Sequence, residues 1–430
     1  MESSKKKNET GEEIYELLKI LYPICRSITG DGVRQTLNII KEHIPVRIYE
    51  VPTGTKAFDW EVPEEWNIKD AYVMDESGNK VIDFKKSNLH VVGYSVPVDK
   101  QVSLPELDQN LHSLEEQPDA IPFVTSFYRK RWGFCIEHNK RKKLKQGNYH
   151  VYIDSCLKKG SLSYGEIIIP GSSEKEILLS TYICHPSMAN NEASGPAVTT
   201  FLVRWLLRKK RKYTYRIVFI PETIGSITYL SRNIVHMKKN TIAGFNITCV
   251  GDERIYSYLP SRKGDSLADR AALNILGFRH PAYIRYSFLE RGSDERQYCS
   301  PGIDLPVASV MRSKYGTYPE YHTSKDDLTL VTPEGLQGSY ELLKDILALL
   351  ENNRKYRIKC LGEPQMGKRG LYPTLSTKHS GTKVKDMMNL IAYCDGTNDL
   401  IEISNIINVP PWELYPLVEK LKKADLIEEY

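Results

Sequence analysis

The sequence has no paired cysteines, no long apolar run and little net charge, and each lack closes off a class of protein. Its eight cysteines, Cys25, Cys135, Cys156, Cys184, Cys249, Cys299, Cys360 and Cys394, include no CxxC pair, so neither a zinc ribbon nor a disulfide framework is expected. Scattered thiols of this kind suit a reducing cytoplasm. No stretch approaches the roughly 18 apolar residues of a membrane-spanning helix. The opening segment MESSKKKNETGEE is polar and has no apolar region of the signal-peptide kind. The net charge of +5, from 59 basic and 54 acidic residues in a 430-residue chain, is too small to point to a nucleic-acid partner.

What is present is ordinary globular usage, 41% hydrophobic and 26% charged, in a chain long enough for two or three domains. Residues 11–43 read as two helices, with Ile14, Leu17, Leu18 and Leu21 at helical spacing and Pro23 and Gly30-Asp31-Gly32 between them. Residues 45–165 change character. Short β-like runs (46–51, 71–74, 89–96, 149–153) alternate with turn residues every ten or so positions, the pattern of a small all-β module. Trp60 and Trp66 are its expected core aromatics, and the basic run Lys140–Lys145 its solvated hairpin tip. Residues 166–350 alternate strands (165–170, 176–181, 215–220, 241–250, 305–311) with helices (196–207, 226–232, 265–276, 332–351), which predicts an α/β domain built on a parallel or mixed sheet. The basic run Arg208–Lys212 complements a helix C-terminus. Residues 371–430 carry three helical stretches and a short apolar strand, the outline of a winged helix. That segment holds six lysines, no arginine and nine acidic residues, a net charge of −3. Phosphate binding needs a basic face, so a protein partner or an architectural role is favoured over nucleic acid. The expected domains are 1–50 with 166–355, an inserted β lid over 51–165, and a winged helix over 356–430.

The stretch that organises the chain is 176–195, EILLSTYICHPSMANNEASG. An apolar run, Ile177-Leu178-Leu179, breaks into His185, Asn190, Asn191 and Glu192 before Ser194-Gly195 opens a helix. In open α/β sheets ligands gather where strands end. The other strands end alike: Glu222 follows RIVFIP, Asp252 and Glu253 follow ITCVG, and His322 precedes the last long helix. Two histidines and several carboxylates at one sheet edge suit a hydrolytic zinc site with an open water position. Each residue alone also reads as a cap or a solvated turn; four in register do not.

On these residues the chain resembles the di-zinc exopeptidases of the bacterial leucyl aminopeptidase type. The matching positions are His185, Asn191-Glu192-Ala193-Ser194-Gly195, Glu222 to Ser226, Asp252 and Tyr321-His322-Thr323. It is still more similar to a bacterial aminopeptidase-like family whose catalytic domain carries a β insertion and a C-terminal winged helix. The stretches LYPICRSITGDGVRQTL, RWGFC, ICHPS, IPETIGS, LPSRKGDSLADRAAL, RGSDERQYCSPG and YPEYHTSKDDL carry that likeness over nearly the whole chain. The resemblance implies one or two zinc ions, with His185 and Asp252 on one and His322 on the other. The family's bridging aspartate falls on Asn191, and a neutral amide bridges two cations poorly; Glu192 is the substitute carboxylate. Where the aminopeptidases have two adjacent glutamates, this chain has Glu222 alone, as ligand or general base, with Glu253 as a second candidate base. Asp294, Arg262, Arg291, Arg296 and Tyr315 are candidate substrate contacts. The implied activity is zinc-dependent hydrolysis of an amide in a small peptide or aminoacyl conjugate, linked to polysaccharide biosynthesis. The alternatives are a catalytically impaired scaffold or binding module, which Asn191 favours, and a winged-helix regulator. No membrane partner is expected.

Overall fold

The computed structural model describes residues 9–371 and 378–430. They form two compact units, one of Met1–Ala268 with Ile284–Glu341, the other of Asp269–Tyr283 with Leu342–Tyr430.

In chain order the first unit begins with α1 (Glu9–Leu21) and α2 (Asp31–His43), then β1 (Arg47–Pro52). Four strands follow, β2 (Glu65–Met74), β3 (Lys80–Asp83), β4 (Val98–Ser103) and β5 (Asn148–Lys158), and then β6 (Ser161–Ile169) and β7 (Ser173–Tyr182). Next come α3 (Ser194–Leu207), β8 (Tyr213–Ile220), α4 (Ile224–Asn240), β9 (Thr241–Asn246) and β10 (Ser257–Leu259). After α5 (Leu267–Arg279), β11 (Ile284–Arg285) and β12 (Val307–Met311) complete a mixed eight-stranded sheet in the order β1-β6-β8-β7-β9-β12-β10-β11. Its centre, β8-β7-β9-β12, is parallel. Residues 176–182 of β7 and 215–220 of β8 are buried without alternation, because helices cover both faces and each side chain gains burial whichever way it points. Parallel strands end at one edge, so the residues after β7, β8 and β9 emerge side by side. The expected strand 241–250 stops at Asn246; from there the chain turns away, and Ile247 N–H still donates to Ser180 O (2.8 Å). Gly195, at the start of α3, passes so close to this turn that a Cβ would lie 2.4 Å from Ile247 O.

The insertion is a four-stranded antiparallel sheet, β3-β2-β5-β4, with Ala71, Val73, Ile82, Val102 and Val151 in its core. The expected strand 89–96 is instead one 3-10 turn, Asn88–His90, and irregular chain. Its backbone groups pair one at a time with an arm of the insertion, Val92 N–H to Gly133 O and Gly93 N–H to Val124 O. The run Lys140–Lys145 is not a hairpin tip either: a helical turn, His138–Arg141, opens it. Trp66 is buried, stacked on Tyr94 (centroids 5.8 Å apart) with Nε1–H donating to Ser95 O (2.9 Å). Trp60 departs from expectation. It opens the second strand of a two-residue-stranded hairpin, Lys56–Ala57 with Trp60–Glu61, and stays 39% exposed. The insertion's arm pairs with the segment around His322 through a bridge between Pro122 and Thr323, with Phe123 N–H donating to His322 O (2.8 Å). The insertion therefore reaches the sheet's carboxyl edge.

The second unit takes the end of α6 (Pro333–Asn352), then β13 (Lys355–Ile358), α7 (Lys378–Ala392), β14 (Asp395–Asp399), α8 (Leu400–Ile407), α9 (Pro411–Lys423) and β15 (Ile427–Glu429). Its three strands are antiparallel in the order β14-β13-β15. Leu390, Leu400, Ile403, Leu414, Leu421 and Leu426 close its core. Asp399 starts α8 with a capping box, its side chain accepting from Glu402 N–H (3.0 Å) while Glu402 Oε2 accepts from Asp399 N–H (2.8 Å). Among the described residues, no helix is long and apolar enough to cross a membrane.

Candidate functional site

The chain leaves β7 at Tyr182 and reaches His185 three residues later. The His185 and His322 rings lie 5.2 Å apart, with Phe123 5.3 Å and 5.1 Å from them respectively. His185 Nδ1 hydrogen-bonds Glu192 Oε2 (2.8 Å), which turns Nε2 toward Glu222 Oε2, 3.8 Å away. Burial holds the His185 imidazole down at about 3 and, with His185 beside it, His322 at about 2, so both rings are neutral and their lone pairs available.

Glu222 follows β8 through Pro221. Thr223, next to it, has φ 63° and ψ −76°, and Ile224 N–H donates back to Glu222 O (2.8 Å). This is a γ-turn of the strained sense, a cost of about 1–3 kcal/mol that surrounding bonds must hold. They do: Asp294 Oδ1 accepts from Thr223 N–H (2.7 Å) and Ser226 Oγ (2.7 Å), and Arg296 Nη2 donates to Thr223 Oγ1 (2.8 Å). Burial, then the charge of Asp294, push the Glu222 carboxyl up to about 8. About a fifth of the Glu222 side chain remains open, into a cavity of about 180 Å³ lined also by His185, Phe123, Trp60 and Tyr128.

The loop 189–193 winds as a single wide turn. Asp326 holds it, accepting from Asn190 N–H (2.6 Å), Asn191 N–H (2.9 Å) and Tyr318 Oη (2.8 Å). The orientation of the Asn191 amide follows from its neighbours. Thr248 Oγ1 donates to Asn191 O (2.9 Å), so Tyr182 Oη donates to Thr248 Oγ1 (2.6 Å) and must accept from Asn191 Nδ2 (2.9 Å). Asn191 Oδ1 is left buried without a partner, as is His322 Nε2. Asp326→Ala removes three acceptor contacts from a buried turn. It is expected to cost about 2–4 kcal/mol, read as a lower urea midpoint at unchanged slope; a loss under about 1 kcal/mol would mean that the turn holds itself.

Glu192 does not fill the bridging place expected of it. Its Oε1 lies 3.3 Å from Arg26 Nε and its other oxygen on His185 Nδ1. Arg26, buried, also donates to His185 O (3.0 Å) and Leu21 O (2.7 Å). Burial pushes the Glu192 carboxyl up, and the Arg26 guanidinium beside it pulls it back toward the charged form. Asp252 does not join the histidines either. Its carboxylate accepts from Asn190 Nδ2 (2.8 Å), Arg254 N–H (2.7 Å) and Ser313 N–H (3.2 Å), so three donors already satisfy it. Glu253 points to solvent. Arg262 is exposed and paired with Asp304, and exposed Arg291 folds onto Phe288 O (3.3 Å). Tyr315 is buried between Glu295 Oε1 and Gly292 N–H. Asp294 and Arg296 act on the Glu222 turn and do not line the cavity at Glu222. Asp326 thus caps the 189–193 turn from a distant segment.

Among the described residues, one group of three ligand-type side chains lies within 4.8 Å: Cys184, His185 and Glu192. It is not open to an ion. His185 Nδ1 is spent on Glu192, Arg26 already supplies the positive charge, and Cys184 Sγ, its thiol pushed far up by burial, accepts from Glu222 N–H (3.2 Å). The donors that fit a divalent ion are the unspent ones: His185 Nε2, His322 Nε2 and Asn191 Oδ1. The 3.8 Å between His185 Nε2 and Glu222 Oε2 is too long for a hydrogen bond, so this nitrogen is not spent on the carboxylate.

A profile described as a domain of unknown function (DUF4910) matches residues 15–353, and one described as a winged helix-turn-helix matches residues 354–429. A Clostridium acetobutylicum protein, described as a candidate polysaccharide biosynthesis protein with an aminopeptidase-like domain, is 49% identical over 404 residues, 92% of each chain. The chain belongs to this aminopeptidase-like family. The crystal structure of a candidate peptidase from the same organism superimposes with a TM-score of 0.93 at 46% identity, covering 99% of this chain and 98% of that one. The zinc aminopeptidase of Bacillus subtilis matches with a TM-score of 0.58 at 11% identity, over 80% of this chain and 94% of its own, which shows a shared fold. The family thus joins a mixed α/β aminopeptidase-type fold to a C-terminal winged helix.

Proposed function

We propose that the protein hydrolyses an amide bond in a small peptide or aminoacyl conjugate, with one zinc ion at His185, His322 and Asn191 and with Glu222 as the proton-transfer group. The observation that carries this reading is Glu222 itself: it faces the cavity beside His185, on a strained turn locked by Asp294 and Arg296. When bound, zinc at this position supplies Lewis-acid polarisation of the amide carbonyl. Glu222 takes the proton of the attacking water and hands it to the departing amine. A carboxyl raised above the usual carboxylate range holds a proton firmly enough to deliver it to the amine. Asp294 positions Glu222 through the Thr223 turn. Phe123, Trp60 and Tyr128 wall the cavity and keep bulk water from the reacting atoms.

A second zinc finds no ligands, since Asp252 and Glu192 are committed to other partners. Calorimetric titration of zinc into chelator-stripped protein is expected to show one site per chain, and the zinc-loaded protein to release amine from aminoacyl anilides. Two equal tight sites would overturn the single-ion reading. The neutral character of the three donors favours the scaffold alternative in one respect, weak metal binding, and the same titration decides it: no saturable zinc site would leave a binding module on an aminopeptidase fold.

A further inference from the structure

The cavity at Glu222 has a neighbour. A second cavity of about 370 Å³ lies beyond Trp60, and Trp60 is the one residue common to both linings. The two are strung along α4: Ile224 lines the first, Ile227 and Ile234 the second. Ten helical residues at about 1.5 Å each set this track at roughly 15 Å, longer than a single aminoacyl group.

The second cavity is built unlike the first. Two aromatic side chains of the insertion's hairpin border it, Phe58 at 53% exposure and Trp60 at 39%. Phe58 sits at φ 55°, a left-handed conformation that bulky residues avoid and that often marks a functional site. Asp59, Gln297 and Ser300 line it as well. The Asp59 carboxylate and Gln297 amide take no hydrogen bond or ion pair among the described residues, so both remain for a ligand. No lysine, arginine or histidine is in the lining, which argues against a phosphate or other anion. Exposed aromatic faces alternating with a free carboxylate and a free amide match a ring that is apolar on its C–H face and hydroxylated at its rim.

We infer that this cavity binds a neutral sugar ring, so that the substrate is a glycoconjugate whose amide-linked group reaches Glu222 across Trp60. The inference rests on the hydrolase reading for the second half only; sugar binding stands apart from it. The test uses the full chain, loaded with zinc, and the N-acetylglucosamine disaccharide as probe, followed by calorimetry and by saturation-transfer NMR. Saturable binding is expected, weakened tenfold or more by Trp60→Ala and by Gln297→Ala, with a sugar phosphate binding no tighter than the neutral probe. Both residues lie at the surface, and circular dichroism checks that the variants fold. Absence of saturable binding, or binding that both variants leave unchanged, overturns the inference. So does a leucyl-leucine amide that binds in place of the disaccharide with the same dependence on Trp60, which would assign the cavity to peptide. Sugar binding without amide hydrolysis keeps the inference and discards the hydrolase; amide hydrolysis without sugar binding does the reverse.

Discussion

Glu222→Gln is expected to reduce amide hydrolysis by about three orders of magnitude, within the range for losing a general acid–base group, while leaving the zinc content unchanged. Glutamine keeps the shape and still fits the Thr223 turn, which Asp294 and Arg296 hold through backbone and hydroxyl groups. It removes the proton acceptor alone. The two roles that the sequence leaves open for Glu222 separate in one experiment. Loss of activity with full zinc occupancy identifies a proton-transfer group; parallel loss of activity and zinc identifies a ligand. Activity within tenfold of the unmodified protein would sink both roles and with them the assignment of the site.

Arg26→Met is expected to destabilise the protein by about 3–5 kcal/mol, the cost of leaving a buried partner charge uncompensated. Arg26 is 2% exposed and lies among His185 O, Leu21 O, Thr36 Oγ1 and Glu192. Removing it strands Glu192 beside a histidine whose ring it orients. Pairing Arg26→Met with Glu192→Gln should recover a large part of the loss, because the stranded charge goes as well while the amide oxygen still accepts from His185 Nδ1. Denaturant unfolding of the two single variants and the double variant measures this. A double variant as unstable as the sum of the singles would mean that Arg26 and Glu192 do not act as a pair. The same residues explain why a second metal is absent from the proposed site: an internal cation already occupies the neighbourhood of Glu192.

Much of this was legible before any coordinates. The contiguous apolar runs at Ile177–Leu179 and Ile217–Ile220 could only be strands covered on both sides, because a half-exposed strand alternates. Where such a run stops, the chain has left the sheet's edge: His185 comes just after the end of β7 and Glu222 just after the end of β8. The helical stretches and the short apolar strand near the end of the chain carried the outline of the C-terminal unit in the same way. Local pattern failed wherever a side chain's partner was remote. Asn191 and Glu192 are adjacent in sequence, yet one turns its amide to Tyr182 and the other its carboxylate to Arg26, more than 160 residues back. Nothing in NNEAS says that Glu192, and not Asn191, is the one that bonds His185. Asp252 follows an apolar run as a ligand would, and Asn190, 62 residues before it, claims it. Trp60 looks like core by composition and is a surface ridge between two cavities.

The sequence by itself therefore determined the family, the alternation of strand and helix, and the winged helix. These rest on periodicity, turn residues and short motifs, which act over a few residues. The tertiary structure alone decided which of the gathered residues are free to act. A carboxylate or imidazole is available only if no other donor or cation has claimed it, and in a buried site those claimants come from distant segments that the fold, not the neighbouring sequence, brings within three ångströms.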